Sequence, residues 1–172
     1  TSAAVEDTVP DVVAAKRLGC PQVTRPQLLA QLVNGSKVSI AVGGTSGKST
    51  TTGMIGWILY ATRRDPTVMN GAVMKNFVAG DTPFASAIVG EGDIFVSEVD
   101  ESDGSIALYN PTIAVLNNIA LDHKSMDELR KLFTDFISKA QVAVLNLDND
   151  ETRRLHAKVQ HLNALTYSLT DT

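Results

Sequence analysis

The chain has 172 residues, 44% of them apolar, and a formal net charge of −4. This length allows one domain with a sizeable core, and the negative balance argues against a nucleic-acid-binding surface. No apolar run approaches the roughly 20 residues that a membrane-spanning helix needs. The single cysteine, Cys20, excludes an internal disulfide and indicates a reducing compartment.

Two helices are predicted at the start of the chain. The first covers residues 8–18, with Thr8 as its N-cap and Gly19 as its terminator. Residues 21–23 are predicted to be extended, and a second helix is predicted over residues 25–33.

A glycine-rich turn follows. Residues 38–42 form an apolar run that predicts a buried strand, and residues 47–62 predict a helix; between them stand Gly44, Thr45, Ser46, Gly47, Lys48, Ser49 and Thr50. Strand, glycine-rich turn, Lys-Ser and helix is the arrangement of a phosphate-binding loop. Glycines let the backbone approach a ligand, the helix N-terminus favours an anion, Lys48 can reach outer phosphates, and the Ser49 hydroxyl can bind Mg²⁺.

The spacing of this turn departs from the standard phosphate loop. Val42 stands where that pattern has its first glycine, so the match is G-x-x-G-K-S. A plain strand-to-helix turn with a surface lysine is the alternative interpretation. The Thr residues after Ser49 favour the phosphate loop, because they suit a first helical turn better than a helix interior.

The remaining pattern alternates strands and helices. Strands are predicted over residues 66–69, 85–89, 93–99, 111–119, 142–146 and 165–169, with an irregular loop over 73–83. Helices are predicted over 125–140, capped by Ser125, and over 151–159, capped by Asp148 or Asp150. The expected fold is therefore α/β, a mostly parallel sheet flanked by helices on both faces, like that of P-loop NTPases.

Polar groups follow three of these strands. Ligands bind outside the carboxyl ends of strands in open α/β sheets, so residues at these ends are candidates for a site. Glu98 is expected to hold Mg²⁺ near the phosphates, and His123 is expected to be a direct or indirect metal ligand. The acidic run after Glu98 has two interpretations, a functional cluster or a solvated turn; His156 and His161 are expected to be solvated.

Four segments together resemble the Mur ligases, ATP-dependent amide-forming ligases of peptidoglycan precursor synthesis. The similar segments, spread over nearly the whole chain, are the loop at residues 44–51, Glu98-Val99-Asp100-Glu101-Ser102-Asp103, Asn118-Ile119-Ala120-Leu121-Asp122-His123, and Asn146-Leu147-Asp148-Asn149. The resemblance leaves two branches of the family open, one that adds L-alanine and one that reattaches a peptide.

The resemblance implies a reaction and a site. ATP would convert the carboxylate of UDP-N-acetylmuramate into an acyl phosphate, which the amine of L-alanine or a peptide then attacks, in the bacterial cytoplasm. Implied catalytic residues are Lys48, Glu98 and His123, with Ser49, Glu98 and His123 on Mg²⁺ and residues 44–50 on the nucleotide. Substrate contacts are expected from a further set: Asn70, Asp100, Ser102 and Asn118.

The resemblance also implies a division of the chain. Residues 1–36 are expected to be the tail of an N-terminal UDP-binding domain and a linker, and residues 37–172 an incomplete central ATP-binding domain, without the C-terminal domain. Such a piece alone is expected to bind nucleotide without ligation. Three alternatives stay open: a folylpolyglutamate-synthase-like ligase, a P-loop kinase and a non-catalytic nucleotide-binding module. The oligomeric state is open as well.

Overall fold

A computed structural model of the chain describes residues 5–80, 83–159 and 163–170. The strands are β1 (Val38–Gly43), β2 (Thr67–Met69), β3 (Ala87–Ile88), β4 (Ile94–Glu98), β5 (Ile113–Leu116), β6 (Val142–Asn146) and β7 (Ala164–Tyr167). The α-helices are α1 (Pro10–Arg17), α2 (Arg25–Gly35), α3 (Lys48–Ala61), α4 (Met126–Ser138) and α5 (Asp150–Lys158). Short 3₁₀ turns cover Lys75–Phe77 and Ser105–Leu108.

All seven strands belong to one sheet, in the order β3-β2-β4-β1-β5-β6-β7. Every neighbouring pair is parallel except β2 and β3, which are antiparallel. The predicted mostly parallel sheet is confirmed. Its edge strand β3 has two residues where the sequence predicted five, because Ala87 and Ile88 alone pair with β2.

Helices cover both faces of the sheet. On one face, α2, α4 and α5 pack onto a core that includes Val33, Phe133 and Leu155. On the other face, α3 packs over β1, β2 and β4, with Ile55 and Leu59 against Val68. This confirms the prediction of helices on both faces. None of the helices within residues 5–80, 83–159 and 163–170 is long and apolar enough to cross a membrane.

Helix caps confirm one prediction and correct two. Ser125 caps α4 through a capping box with Glu128, as predicted. The prediction for Thr8 is wrong, because Val9 occupies the N-cap of α1 and the Thr8 hydroxyl instead donates to Glu6. The prediction for α5 is also wrong, since Asn149 accepts from the Thr152 N–H.

Residues 21–23, predicted to be extended, lie outside the helices and strands of the structure, so that expectation stays a prediction. His156 lies half-buried in α5, whereas solvation was expected; His161 lies outside the described residues.

The strand register positions the candidate site. Val42 of β1 pairs with Glu98 of β4, and Gly43 pairs with Leu116 of β5. The loop after β1 therefore lies between the segment that follows Glu98 and the segment that follows Leu116. All three segments leave the sheet at its carboxyl edge, where open α/β sheets bind ligands.

Candidate nucleotide-binding site

The turn between β1 and α3 has the backbone of an anion-binding loop. Gly44 has φ 138° and Gly47 has φ 77°, conformations that side-chain-bearing residues rarely adopt. Gly47 is also the N-cap of α3 and has no side chain to cap it. The first N–H groups of a helix have no partners within the helix, so this N-terminus can receive an anion.

Asn118 holds this loop from the neighbouring strand end. Its Oδ1 accepts hydrogen bonds from the Thr45 hydroxyl at 2.8 Å and from the Ser46 N–H at 3.0 Å. Its Nδ2 donates to the Ser46 carbonyl at 3.0 Å. Asn118, predicted to contact substrate, is thus placed against the loop, where its side chain fixes the loop's shape.

Lys48 lies in the first turn of α3 and points back across the loop. Its Nζ donates to the Gly44 carbonyl at 2.7 Å and forms an ion pair with Glu101 at 2.9 Å. The Lys48 side chain is 19% exposed and that of Glu101 only 5%. The lysine ammonium is therefore held beside the loop backbone.

Ser49 and Glu98 meet next to Lys48. The Ser49 hydroxyl donates to Glu98 Oε2 at 2.6 Å, which places two oxygen atoms of the kind that Mg²⁺ prefers side by side. Gly71 lies against the same carboxylate, because a Cβ built on Gly71 would be 1.9 Å from Glu98 Oε1. A Mg²⁺ ion fits the chemistry of this hydroxyl–carboxylate pair.

Two buried amides contact the first turn of α3, Asn70 at Ser49 and Asn117 at Thr51. Asn70 Nδ2 donates to the Ser49 carbonyl at 3.1 Å, and Asn117 Nδ2 donates to the Thr51 hydroxyl at 2.9 Å. The Oδ1 atom of each has no hydrogen-bond partner among the described residues. Buried polar atoms are rarely left unpaired, so each oxygen can accept a hydrogen bond from water or ligand.

A pocket opens beside Lys48 and Glu98. Its lining includes Asn70, Gly71 and Asp100, together with Arg25 and Tyr109. Burial opposes ionisation of Asp100, but hydrogen bonds from Ser102 outweigh it and hold the pKa of Asp100 below its ordinary value. Burial raises the pKa of Tyr109 to about 12, so its hydroxyl stays protonated. Asn70 and Asp100 thus line this pocket, and Ser102 adjoins it through Asp100.

His123 is placed differently from the other predicted metal ligands. Its side chain is 81% exposed and lies 3.4 Å from Asp122. Within the described parts of the chain, no three His, Cys, Asp or Glu residues are grouped so that they could hold a metal ion. The structure thus brings Ser49 and Glu98 together, whereas a metal-binding role of His123 stays a prediction.

Three residues of the site were not singled out from the sequence. Glu101 stood within an acidic run that suited a solvated turn equally well, yet it is the buried partner of Lys48. Asn117 adjoins Asn118, and Gly71 adjoins Asn70, so adjacency to predicted residues was their only signal.

Comparison with known proteins decides the family. Residues 42–172 match the Mur ligase middle domain. The chain belongs to the Mur ligase family. The resemblance seen in the loop, the acidic segment and the segment ending at His123 is therefore confirmed.

Individual Mur ligases show the same relationship. A UDP-N-acetylmuramate–L-alanine ligase of Magnetococcus marinus is 39% identical over 99% of this chain, which corresponds to 36% of that relative. The chain thus spans about a third of the length of curated relatives that it matches.

Solved structures of Mur ligases share the fold. The UDP-N-acetylmuramate–alanine ligase of Thermotoga maritima superposes with a TM-score of 0.80 at 24% identity, covering 99% of this chain and 38% of that one. The UDP-N-acetylmuramate:L-alanyl-γ-D-glutamyl-meso-diaminopimelate ligase of Neisseria meningitidis gives 0.75 at 26% identity, covering 95% and 56%.

Proposed function

We propose that this chain forms the ATP-binding part of a ligase that joins L-alanine, or a peptide, to UDP-N-acetylmuramate. The observation that carries the proposal is the convergence of Lys48 with the Ser49–Glu98 pair at the N-terminus of α3. Mur ligases are ATP-dependent, and this arrangement supplies a phosphate loop together with oxygen ligands for Mg²⁺.

The proposed reaction has two steps. The substrate carboxylate attacks the terminal phosphorus of ATP, and ADP leaves, which produces an acyl phosphate. The amine of the incoming amino acid then attacks the acyl carbon, an amide forms, and phosphate leaves. Negative charge builds up on phosphoryl oxygens in the first step, so catalysis depends on positive charge placed in advance.

Different residues of the loop are proposed to contact different parts of the nucleotide. Backbone N–H groups of residues 44–48 receive the β-phosphate, and Lys48 neutralises charge on the outer oxygens. Ser49 and Glu98 would hold Mg²⁺, which would supply positive charge to the phosphate groups. His123 is proposed to hold or orient a second metal ion near the acceptor carboxylate.

The pocket beside Lys48 is proposed to receive the substrate. Asn70 and Asp100 line its wall, and the unpaired Oδ1 of Asn70 supports a role in accepting a hydrogen bond from the substrate or its water. Ser102 acts through its hydrogen bond to Asp100. Asn118 acts on the nucleotide side, because its amide holds Thr45 and Ser46. The reaction is proposed to take place in the bacterial cytoplasm.

Product analysis of a protein with the full length of these relatives tests the proposal. UDP-N-acetylmuramate and Mg²⁺-ATP are supplied with L-alanine in one assay and with L-alanyl-γ-D-glutamyl-meso-diaminopimelate in another, and ADP and the ligated product are measured by mass spectrometry. We expect the L-alanine product, because the Magnetococcus marinus relative bears that name at 39% identity.

The other outcomes separate the alternatives. Ligation of the peptide alone favours the second branch of the family, which the Neisseria meningitidis structure represents. Ligation only with folate and glutamate, or phosphoryl transfer without amide formation, contradicts the proposal. Nucleotide binding without any product in the full-length protein supports a non-catalytic module.

A further inference from the structure

Glu101 is a buried carboxylate paired with the lysine of the phosphate loop. Only 4% of the residue is exposed, and its Oε2 lies 2.9 Å from Lys48 Nζ. The turn that places it here closes with the Gly104 N–H donating to the Glu101 carbonyl at 3.1 Å. Burying a charged group is costly unless it has a partner, and the ammonium of Lys48 is the partner of the Glu101 carboxylate.

The same ion pair changes what Lys48 can offer a phosphate. A lysine ammonium has three N–H donors, and here Gly44 and Glu101 take two of them. One donor remains for a ligand. The positive charge of Lys48 is also opposed at 2.9 Å, so the loop attracts an anion less than a free lysine would.

The charged side chains around the adjoining pocket do not compensate for the positive charge of Lys48 that Glu101 opposes. Glu98 and Asp100 both line this pocket, and the pKa of Asp100 lies below its ordinary value. Arg25 is the further cation of the pocket lining, and it is exposed to solvent. With the charge of Lys48 offset by Glu101, the two carboxylates of the pocket lining outnumber this one cation, and this negative balance opposes the binding of a metal-free polyphosphate.

We propose that Glu101 is a positioning residue that holds Lys48 and makes polyphosphate binding depend on a divalent cation. A cation held by Ser49 and Glu98 would supply the positive charge that Glu101 offsets on Lys48. This inference rests on the proposed nucleotide binding. It assigns Glu101 the role of excluding free nucleotide and other free polyphosphates from the loop.

Titration calorimetry on the 172-residue chain tests this role. The dissociation constant of ATP is measured with excess Mg²⁺ and again with EDTA, for the wild type and for Glu101→Gln, which removes the charge and keeps the size. We compare the dissociation constant of ATP in EDTA with that in Mg²⁺. We expect Glu101→Gln to lower the ratio of the first to the second by about tenfold or more, mainly because metal-free ATP binds more tightly.

Two further variants control the result. Glu91→Gln makes the same charge change on the exposed turn before β4, at the opposite edge of the sheet, and leaves the ratio unchanged. Glu101→Asp keeps the charge and keeps the wild-type ratio. A purely structural role of Glu101 predicts instead that both dissociation constants change by the same factor in Glu101→Gln, which would overturn the proposal.

The wild type alone also tests the inference, in case Glu101→Gln does not fold. Metal-free ATP that binds the wild type as tightly as Mg²⁺-ATP contradicts the role of Glu101 while leaving the proposed function intact. Absence of nucleotide binding in Mg²⁺ and in EDTA overturns the proposed function and this inference together.

Discussion

Gly71 lies so close to Glu98 that any side chain there would displace the carboxylate. A Cβ on Gly71 would be 1.9 Å from Glu98 Oε1, far inside van der Waals contact. We therefore expect Gly71→Ala to separate Glu98 from the Ser49 hydroxyl and to weaken Mg²⁺-ATP binding by about tenfold or more. The measurement is titration calorimetry in excess Mg²⁺.

Gly80→Ala is the matched control for this change. A Cβ on Gly80 meets no atom within 4 Å, so the same substitution there leaves the Mg²⁺-ATP affinity unchanged. Equal affinities of Gly71→Ala and wild type, with both proteins folded by circular dichroism, would show that the Ser49–Glu98 geometry does not hold the metal.

The role of a single residue can be predicted from the sequence when the residues that define that role are its neighbours along the chain. Lys48 and Ser49 could be predicted because the glycine turn, the strand and the helix are all adjacent in sequence. Glu98 could be predicted because an acid at a strand end is unusual. Glu101 could not, since whether it points inward depends on how the turn after β4 packs, and an acidic run does not encode that direction.

At the scale of elements, Asp148 joins the end of β6 to the segment after β7. Hydrogen bonds from the Ser168 hydroxyl, the Leu169 N–H and the Thr170 hydroxyl lower the pKa of Asp148 from 3.8 to about 2. Its stabilising effect is therefore complete above the unfolded pKa near 3.8 and is lost as pH falls through about 2.

This linkage predicts the behaviour of Asp148→Asn. Between pH 5 and about pH 2, the wild type binds more protons when unfolded than when folded, so its free energy of unfolding falls as the pH falls. We expect the urea midpoint of Asp148→Asn to fall less over that range than the wild-type midpoint. Urea midpoints that change equally with pH in the two proteins would contradict a stabilising role for the hydrogen bonds to Asp148.

Element boundaries show where sequence patterns suffice. Continuous apolar runs predicted the buried strands β1, β5 and β6. A strand that is buried on both faces of a sheet has a run of apolar residues and no alternation of polar and apolar ones. The cap of α5 was harder, since Asp148, Asn149 and Asp150 can all serve as N-caps. The structure uses Asn149, because Asp148 is engaged with the segment after β7 and Asp150 already lies inside the helix.

At the scale of the whole molecule, strand order creates the site. β1 lies between β4 and β5, although β2 and β3 separate β1 from β4 along the chain. The sequence predicted that several strand ends carry polar groups but not which ends are neighbours. Pairing of Val42 with Glu98 places the carboxylate beside the loop, and pairing of Gly43 with Leu116 places Asn118 on its other side.

Nucleotide binding through Lys48 is the central claim, and one titration tests it most directly. The 172-residue chain is titrated with Mg²⁺-ATP as wild type, as Lys48→Ala, and as Lys131→Ala, a control that removes an exposed lysine from α4. We expect Lys48→Ala to weaken binding by about tenfold or more, because it removes the cation beside the loop, while Lys131→Ala binds like the wild type. Equal affinities of Lys48→Ala and the wild type would contradict the claim.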